Sequence, residues 1–125
     1  MNNPRDILAS RPMVFLIYGL PTLAIFVSGV PAVTNGARTL IWALACAVMG
    51  AGCLANAIRC GRVHCYFTGP YFLALAGLVV LYGTGVAPLG PSGWNLIGAA
   101  LLAGAVLLMW APERLFGKYR QILGR

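Results

Sequence analysis

The sequence predicts an all-α integral membrane protein in which four transmembrane helices form a single domain over residues 1–125. The first observation behind this fold class is composition: 60% of the residues are hydrophobic and only 9% are charged, whereas a soluble domain carries about 25% charged residues. A soluble core of this length could not bury so much apolar surface. The second observation is that the charged residues fall between long uncharged runs. Soluble enzymes, disordered tails and small disulfide-rich secreted domains are therefore disfavoured.

The uncharged runs define the spans. No Asp, Glu, Lys or Arg occurs in residues 12–37, 39–58 or 63–112. Because a helix needs about 20 residues to cross roughly 30 Å of hydrocarbon, the first two runs hold one span each and the third holds two. Asn35-Gly36 and the Pro and Gly residues within 87–93 mark turns. The predicted helices are residues 13–33, 39–59, 69–87 and 93–111.

Small residues and one proline characterise the helices. Pro21 lacks a backbone N–H and should kink the first helix. Ala recurs every four positions from Ala43 to Ala55 in the second helix, and Gly and Ala cluster from Gly98 to Gly104 in the fourth. Because small residues let helix backbones approach closely in lipid, we expect the second and fourth helices to make the tightest contacts, within the chain or in a homo-oligomer.

The nine Lys and Arg residues predict the orientation. With four spans, the N-terminus, the second loop and the C-terminus share one side and carry eight of the nine cations, whereas Arg38 lies alone on the other side. Lys and Arg next to spans are retained in the cytoplasm. We therefore expect an inner-membrane protein with both termini in the cytoplasm. The net charge of +7 is then an orientation signal, and no nucleic-acid partner is expected.

The C-terminal residues 112–125 predict a short amphipathic helix on the membrane surface, with Pro112 at its start. Its apolar side chains recur at helical spacing from Leu115 to Leu123. Such a stripe lies in the bilayer interface while basic neighbours contact anionic lipid headgroups. The alternative is a docking site for a partner protein. The basic residues beside the stripe are Arg114, Lys118, Arg120 and Arg125.

A candidate metal site lies in the loop after the second helix, where Cys60, His64 and Cys65 fall within six residues. Thiolate and imidazole groups suit soft and borderline metal ions, here Hg²⁺, Cu(I) or Zn²⁺. Arg59 and Arg62 favour the thiolate forms. The candidate cofactor is therefore a soft metal ion held by three protein ligands.

The same loop also has a purely structural interpretation. Its arginines serve as orientation signals, and Thr68 with Pro70 can begin the third helix, since Pro in the first turn sacrifices no hydrogen bond. Three cysteines of the four are also seven residues apart, at 46, 53 and 60, which places them on one face of the second helix. This face is either a path for the ion or ordinary packing, because Cys is often buried as a small apolar residue. The candidate pathway residues are Cys46, Met49, Cys53 and Asn56.

The segment from His64 to Pro70 (His-Cys-Tyr-Phe-Thr-Gly-Pro), with the apolar helix after it, resembles the small mercuric-ion transport membrane proteins of bacteria. Those proteins have a Cys-Cys pair followed closely by Thr-Pro and an apolar helix. Here His64 stands where a cysteine is expected, and Gly69 separates Thr68 from Pro70. The resemblance implies that Cys60 and Cys65 carry the ion near the cytoplasmic face.

Two functions are consistent with the sequence. One is a small multi-pass membrane protein that binds or transports a soft metal ion. The alternative is a non-enzymatic accessory or scaffold subunit of a larger membrane complex. No acidic or basic residue lies inside a predicted span, which disfavours a carboxylate-driven transporter. A thiol oxidoreductase would need paired cysteines on the outer face, where none is expected. No catalytic residues are assigned, and we expect no enzyme activity.

Overall fold

A computed structural model describes residues 4–117 of the chain. Within this range the protein is all-helical, and four helices are long and apolar enough to cross a membrane. The prediction of four membrane-length helices is therefore confirmed. A short 3₁₀ turn at Ile7–Ala9 precedes them. The four helices are α1 (Arg11–Ser28), α2 (Asn35–Cys60), α3 (Val63–Gly83) and α4 (Gly93–Phe116).

The four helices alternate in direction, so that contacts between connecting segments define two ends of the bundle. At the Arg62 end, Arg62 between α2 and α3 bridges Asp6, which precedes α1, and Glu113, near the end of α4. At the Trp94 end, the indole N–H of Trp94 on α4 donates to the side chain of Asn35, which begins α2. The bundle is therefore an up-and-down arrangement in which each helix packs against its neighbours in sequence.

Helix α1 contains a π-helical turn at Phe15–Gly19. In this turn the N–H of Leu20 donates to the carbonyl of Phe15, five residues earlier. Pro21 follows immediately and has no N–H to give to the carbonyl of Ile17. The wider turn is the irregularity that accompanies this missing hydrogen bond. It lies at the position where the sequence predicts a disturbance of the helix.

The closest backbone packing joins α2 to α3. A Cβ atom added to Gly50 on α2 would lie 2.9 Å from the carbonyl oxygen of Gly69 on α3, and one added to Gly69 would lie 3.2 Å from the backbone nitrogen of Leu54. Only glycine permits this approach. The second helix therefore makes the tightest contact within the chain, as expected, but the same expectation for the fourth helix is wrong. Helix α4 instead packs against α3, where Gly104 faces the ring of Tyr71.

The start of α3 differs most from the sequence prediction. Helix α2 ends at Cys60, and Gly61 follows in the left-handed conformation with φ of 72°. Helix α3 then begins at Val63, six residues before the predicted start at residue 69. Within the expected loop from Arg59 to Gly69, only Gly61 and Arg62 lie outside the helices. The residues from Val63 onward form two turns of packed helix.

Pro70 consequently lies inside α3 and does not begin it. The carbonyl of Tyr66 loses its N–H partner there, a defect that membrane helices tolerate. Thr68 does not cap the helix start either, because its hydroxyl donates to the carbonyl of His64. The sequence rule for helix starts fails here because packing against α2 stabilises the two additional turns.

Helix α4 also extends beyond its predicted end at residue 111. It continues to Phe116 with Pro112 inside it, so no separate helix begins at Pro112. Arg114 lies on this last turn, with its guanidinium carbon 4.9 Å from the centre of the Trp110 ring. The other basic residues of the expected surface helix, Lys118, Arg120 and Arg125, lie outside the described residues.

At the Trp94 end, a network of contacts engages Arg38, the single cation expected there. Arg38 donates from Nε to the carbonyl of Ser28 at 3.1 Å and from Nη2 to the carbonyl of Val30 at 3.0 Å. Its guanidinium also lies over the ring of Trp94. The indole N–H of Trp42 donates to the hydroxyl of Ser28 at 2.9 Å. Arg38 therefore binds the carbonyl of Ser28, which the end of α1 leaves without an intrahelical partner, and the carbonyl of Val30 in the following turn.

Candidate metal centre

Helices α2 and α3 bring together, at the Arg62 end, three side chains that could hold a metal ion. One donor atom each from Cys53, His64 and Cys65 lies within 4.8 Å of the other two. Both sulfur-bearing residues are 0% exposed and His64 is 4% exposed. A tetrahedral ion with bonds of about 2.0–2.3 Å needs ligand atoms roughly 3.5 Å apart, and Cys65 Sγ lies 3.5 Å from His64 Nε2. We call Cys53, His64 and Cys65 the ligand group.

Local geometry explains why these residues meet. Gly61 in its left-handed conformation turns the chain back within two residues, so the first turn of α3 lies beside the last turns of α2. The close approach of Gly50 to Gly69 keeps the two helices together farther along. His64 and Cys65 therefore come from the start of α3, while Cys53 comes from the facing side of α2.

Cys60 lies outside the ligand group, although the sequence places it with His64 and Cys65. It is partly exposed, and its thiol donates to the carbonyl of Asn56, one turn earlier on the same helix, at 3.1 Å. Cys53 takes the place predicted for Cys60 because α3 begins earlier than expected. If the segment after Cys60 were a loop, Cys60 would be the cysteine of α2 nearest to His64 and Cys65. Because this segment is a helix packed on α2, Cys53 on the facing side of α2 lies beside them.

The four candidate pathway residues are buried on one face of α2, as the seven-residue spacing indicates. Each of the four is at most 2% exposed. Cys46 and Met49 belong to the main apolar core, together with Phe72 and Val79 of α3. An apolar cavity of about 180 Å³ lies beside Ile25, between α1, α2 and α4, and none of the four residues lines it. The four are Cys46, Met49, Cys53 and Asn56.

Acidic and basic side chains form a second layer behind the ligand group. His64 Nδ1 lies 2.5 Å from Glu113 Oε1, and the same oxygen accepts from Arg62 Nε at 2.9 Å. Arg62 Nη1 donates to Asp6 Oδ2 at 3.1 Å. We call Asp6, Arg62, His64 and Glu113 the ion network. It connects the segment before α1, the α2–α3 turn, α3 and α4.

Arg62 keeps its positive charge within this network. Burial lowers the pKa of the guanidinium, but hydrogen bonding to Glu113 and the charges of Asp6 and Glu113 outweigh that effect and hold the pKa above its ordinary value. The fixed positive charge faces two carboxylates and lies close to the ligand group. It therefore favours the thiolate forms of the nearby cysteines, which are the forms that bind metal.

Both sulfur atoms of the ligand group have hydrogen-bonding partners. The Tyr18 hydroxyl, carried by the π-helical turn of α1, is hydrogen-bonded to Cys53 Sγ. Asn56 Nδ2 lies 3.7 Å from Cys65 Sγ and also donates to Asp6 Oδ1 at 2.8 Å. Hydrogen bonds to the charged form of an acid favour that form. Each of these two contacts therefore favours a thiolate at its own sulfur atom.

The residues before α1 cover the ligand group from the Arg62 end. Leu8 is buried and packs with Cys53, Ala57 and Cys65 in a small apolar cluster. Asp6 is 5% exposed, and the backbone N–H of Ile7 donates to Asn56 Oδ1 at 2.7 Å. We call Asp6, Ile7 and Leu8 the N-terminal cover. It shields the ligand group from water at the bundle end.

Sequence reasoning missed three contributors: Asp6, Tyr18 and Glu113. Asp6 and Glu113 did carry a signal, because they are the two acidic side chains of the whole chain. Two isolated acids in so apolar a protein each need a cationic or hydrogen-bonding partner. Tyr18 had no comparable signal, since its contact with Cys53 depends on the π-helical turn.

Comparison with known proteins gives no match to a protein-family model, to a curated protein or to a solved structure. The ligand group, the ion network and their position in the bundle are therefore the features that indicate a function. These features show two cysteines and a histidine with metal-ligand spacing, buried at one end of four membrane-length helices.

Proposed function

We propose that this chain is a multi-pass membrane protein that binds a soft divalent metal ion through Cys53, His64 and Cys65. The observation that carries this proposal is the clustering of one donor atom from each residue within 4.8 Å, at a buried position between α2 and α3. Two sulfurs and one imidazole nitrogen are typical ligands of Zn²⁺ and of softer ions.

Charge balance favours a divalent ion over Cu(I). Two thiolates and one divalent ion form an electrically neutral unit, whereas two thiolates and Cu(I) retain a negative charge. Holding net charge in apolar surroundings is costly, and the ligand group is almost fully buried. Hg²⁺ and Zn²⁺ are therefore the preferred ions.

Three protein ligands suit exchange better than permanent storage. Structural zinc sites are usually closed by four protein ligands, whereas three ligands leave one position open. An incoming thiol or water can occupy this position and allow the ion to be passed on. We propose binding and transfer of the ion as the function. His64 and Cys65, which carry the resemblance to mercuric-ion transport proteins, both belong to the ligand group, and Cys53 takes the role implied for Cys60.

The distribution of cations supports a cytoplasmic Arg62 end in a cell membrane. Among residues 4–117, one cation, Arg38, lies at the Trp94 end, where it binds the carbonyls of Ser28 and Val30. The positive-inside rule then assigns the Arg62 end to the cytoplasm, where thiols stay reduced and able to bind metal. The described cations at the Arg62 end are Arg5, Arg11, Arg59, Arg62 and Arg114.

Metal analysis of the full chain purified in detergent tests the proposal. We expect one equivalent of Zn²⁺ or Hg²⁺ per chain to bind tightly to the wild type and to be lost in the double variant Cys53→Ser plus Cys65→Ser. Cys46→Ser is the matched control, because Cys46 is also buried on α2 but lies outside the ligand group. Cys60→Ser should also leave binding intact. Undiminished binding by the double variant would overturn the proposal.

A second candidate function is that of an accessory subunit in a larger membrane assembly. Helix α4 packs mainly against α3, and its opposite face is exposed. Ala99 and Ala103 lie there four residues apart, flanked by Leu102 and Val106, which suits close approach of another helix. Mild solubilisation and size analysis test this function. A stable partner or second copy in the purified particle supports it, whereas a chain that always migrates alone counts against it.

A further inference from the structure

His64 lies between a carboxylate and a sulfur, and each contact uses a different ring nitrogen. Nδ1 lies 2.5 Å from Glu113 Oε1, while Nε2 lies 3.5 Å from Cys65 Sγ. An ionised carboxylate can only accept hydrogen bonds, so Nδ1 carries the hydrogen in the neutral ring. The lone pair is then on Nε2, which faces the sulfur atoms. The contact with Glu113 therefore selects the tautomer that can bind metal.

We propose that Glu113 is a positioning residue of the metal centre, which fixes the tautomer and the ring orientation of His64 so that Nε2 binds the ion. This inference rests on the proposed function. A carboxylate behind a ligating histidine raises its basicity and restricts its rotation, and loss of such a partner typically weakens metal binding by about 10- to 100-fold. Helix α4, which supplies no ligand, thereby contributes to the site through Glu113.

Glu113 is itself held in place from several directions. Its Oε1 accepts from Arg62 Nε at 2.9 Å, and Arg62 is bonded in turn to Asp6. The next turn of α4 is anchored by Phe116, whose ring stacks on that of Phe67 with centroids 6.4 Å apart. The carboxylate oxygen thus has a defined position relative to the first turn of α3. A fixed acceptor is what orientation of an imidazole ring requires.

A simpler role for Glu113 would be to balance the charge of Arg62 and so stabilise the bundle. Three variants separate the two roles. Glu113→Leu removes the acceptor. Glu113→Gln keeps it, because both donors converge on the single oxygen Oε1, which an amide oxygen can replace. Arg114→Gln is the control, because Arg114 is exposed, lies next to Glu113 on α4 and belongs to neither the ligand group nor the ion network.

The tautomer of His64 can be measured without any metal. The chain has one histidine, so ¹⁵N-histidine labelling of the full chain in detergent gives one ring to assign. At alkaline pH, where the ring is neutral, we expect the Nδ1–H form in the wild type, in Glu113→Gln and in Arg114→Gln. Glu113→Leu should shift the ring toward the Nε2–H form. An unchanged tautomer in Glu113→Leu would overturn the proposal.

Cobalt(II) binding gives the second readout, because the visible spectrum of tetrahedral Co²⁺ depends on its ligands. We expect Glu113→Leu to weaken Co²⁺ binding by about 10- to 100-fold and to change the spectrum toward that of a site without imidazole. Glu113→Gln should retain the wild-type spectrum, and Arg114→Gln should retain both spectrum and affinity. Equal losses in Glu113→Leu and Glu113→Gln would overturn the proposal, since they would indicate that only the charge of Glu113 matters. If the wild type binds no metal, the proposed function fails, while the tautomer measurement still decides the role of Glu113.

Discussion

Arg62 donates to both acidic side chains of the protein, to Asp6 through Nη1 and to Glu113 through Nε. The Asp6 side chain is 0% exposed and the Arg62 side chain 16%. In such surroundings the attraction between the charges offsets the loss of their hydration only while both partners are present. A single residue of the α2–α3 turn therefore holds together the segment before α1 and the end of α4.

Replacement of Arg62 by Gln should destabilise the protein strongly. The buried Asp6 carboxylate loses its cationic partner, and removal of one member of a buried pair costs about 3–5 kcal/mol. Thermal unfolding of the purified protein in detergent measures the effect. Arg59→Gln is the control, because Arg59 lies exposed on the last turn of α2. Equal stability of the two variants would show that the ion pair contributes little.

At the scale of elements, the first two turns of α3 decide the chemistry of the Arg62 end. Read locally, the residues from Val63 to Gly69 indicate a loop, because Gly69-Pro70 is a common helix start. In the structure these residues are helical and packed against α2, and Gly61 provides the reversal. Packing thereby overrides a local preference and buries His64 and Cys65.

The N-terminal cover should control the access of reagents to the ligand group. Leu8→Ala removes apolar contact with Cys53 and Cys65 and should accelerate their reaction with N-ethylmaleimide in detergent. Cys46, which lies in the main core, should react as slowly as in the wild type. Mass spectrometry of the labelled peptides gives the rate at each cysteine, and Met13→Ala, at an exposed site, is the control. Unchanged rates at Cys53 and Cys65 would show that the cover does not limit access.

The crossing of α2 and α3 should be sensitive to one added methyl group. Gly50→Ala places a Cβ atom 2.9 Å from the carbonyl oxygen of Gly69 and 2.8 Å from Leu73 Cγ, so the helices must move apart. Such overpacking costs about 1–3 kcal/mol, which thermal unfolding in detergent can measure. Gly77→Ala on α3 is the matched control, because its Cβ atom meets nothing within 4 Å. A loss of stability as large in Gly77→Ala would indicate a general effect of helix glycines.

Across the bundle, most of the cations lie at the same end as the ligand group. The ligand group, the ion network and five of the six cations among residues 4–117 all lie at the Arg62 end. The cation at the other end, Arg38, is held by backbone carbonyls and by Trp94. The orientation of the protein therefore determines which side of the membrane the ligand group faces.

Labelling from each side of intact cells should reveal the orientation. In Ser92→Cys, the new thiol at the exposed Trp94 end should react with a membrane-impermeant maleimide in intact cells. Cys60, partly exposed near the Arg62 end, should react only after the cells are permeabilised. Labelling of Cys60 in intact cells would place the Arg62 end outside and contradict the proposed cytoplasmic location.

Several properties can be predicted from the sequence because each depends on residues that are close together in the chain. Hydropathy over about 20 residues is enough to identify a membrane-length helix, and all four appear at positions that overlap their predictions. The buried face of α2 also followed from helical spacing, so Cys53 and Asn56 were recognised as members of one stripe. His64 and Cys65 were recognised from their residue types alone.

The sequence therefore specifies the membrane-length helices, the grouping of the cations and the residue types able to bind a soft metal. The packing of the helices places Cys53, and not Cys60, beside His64 and Cys65, and it brings Glu113, 49 residues away from His64, into contact with the imidazole ring. The physical reason is that ligand geometry depends on how helices cross. Here glycine contacts between α2 and α3 set that crossing, and no local pattern encodes it.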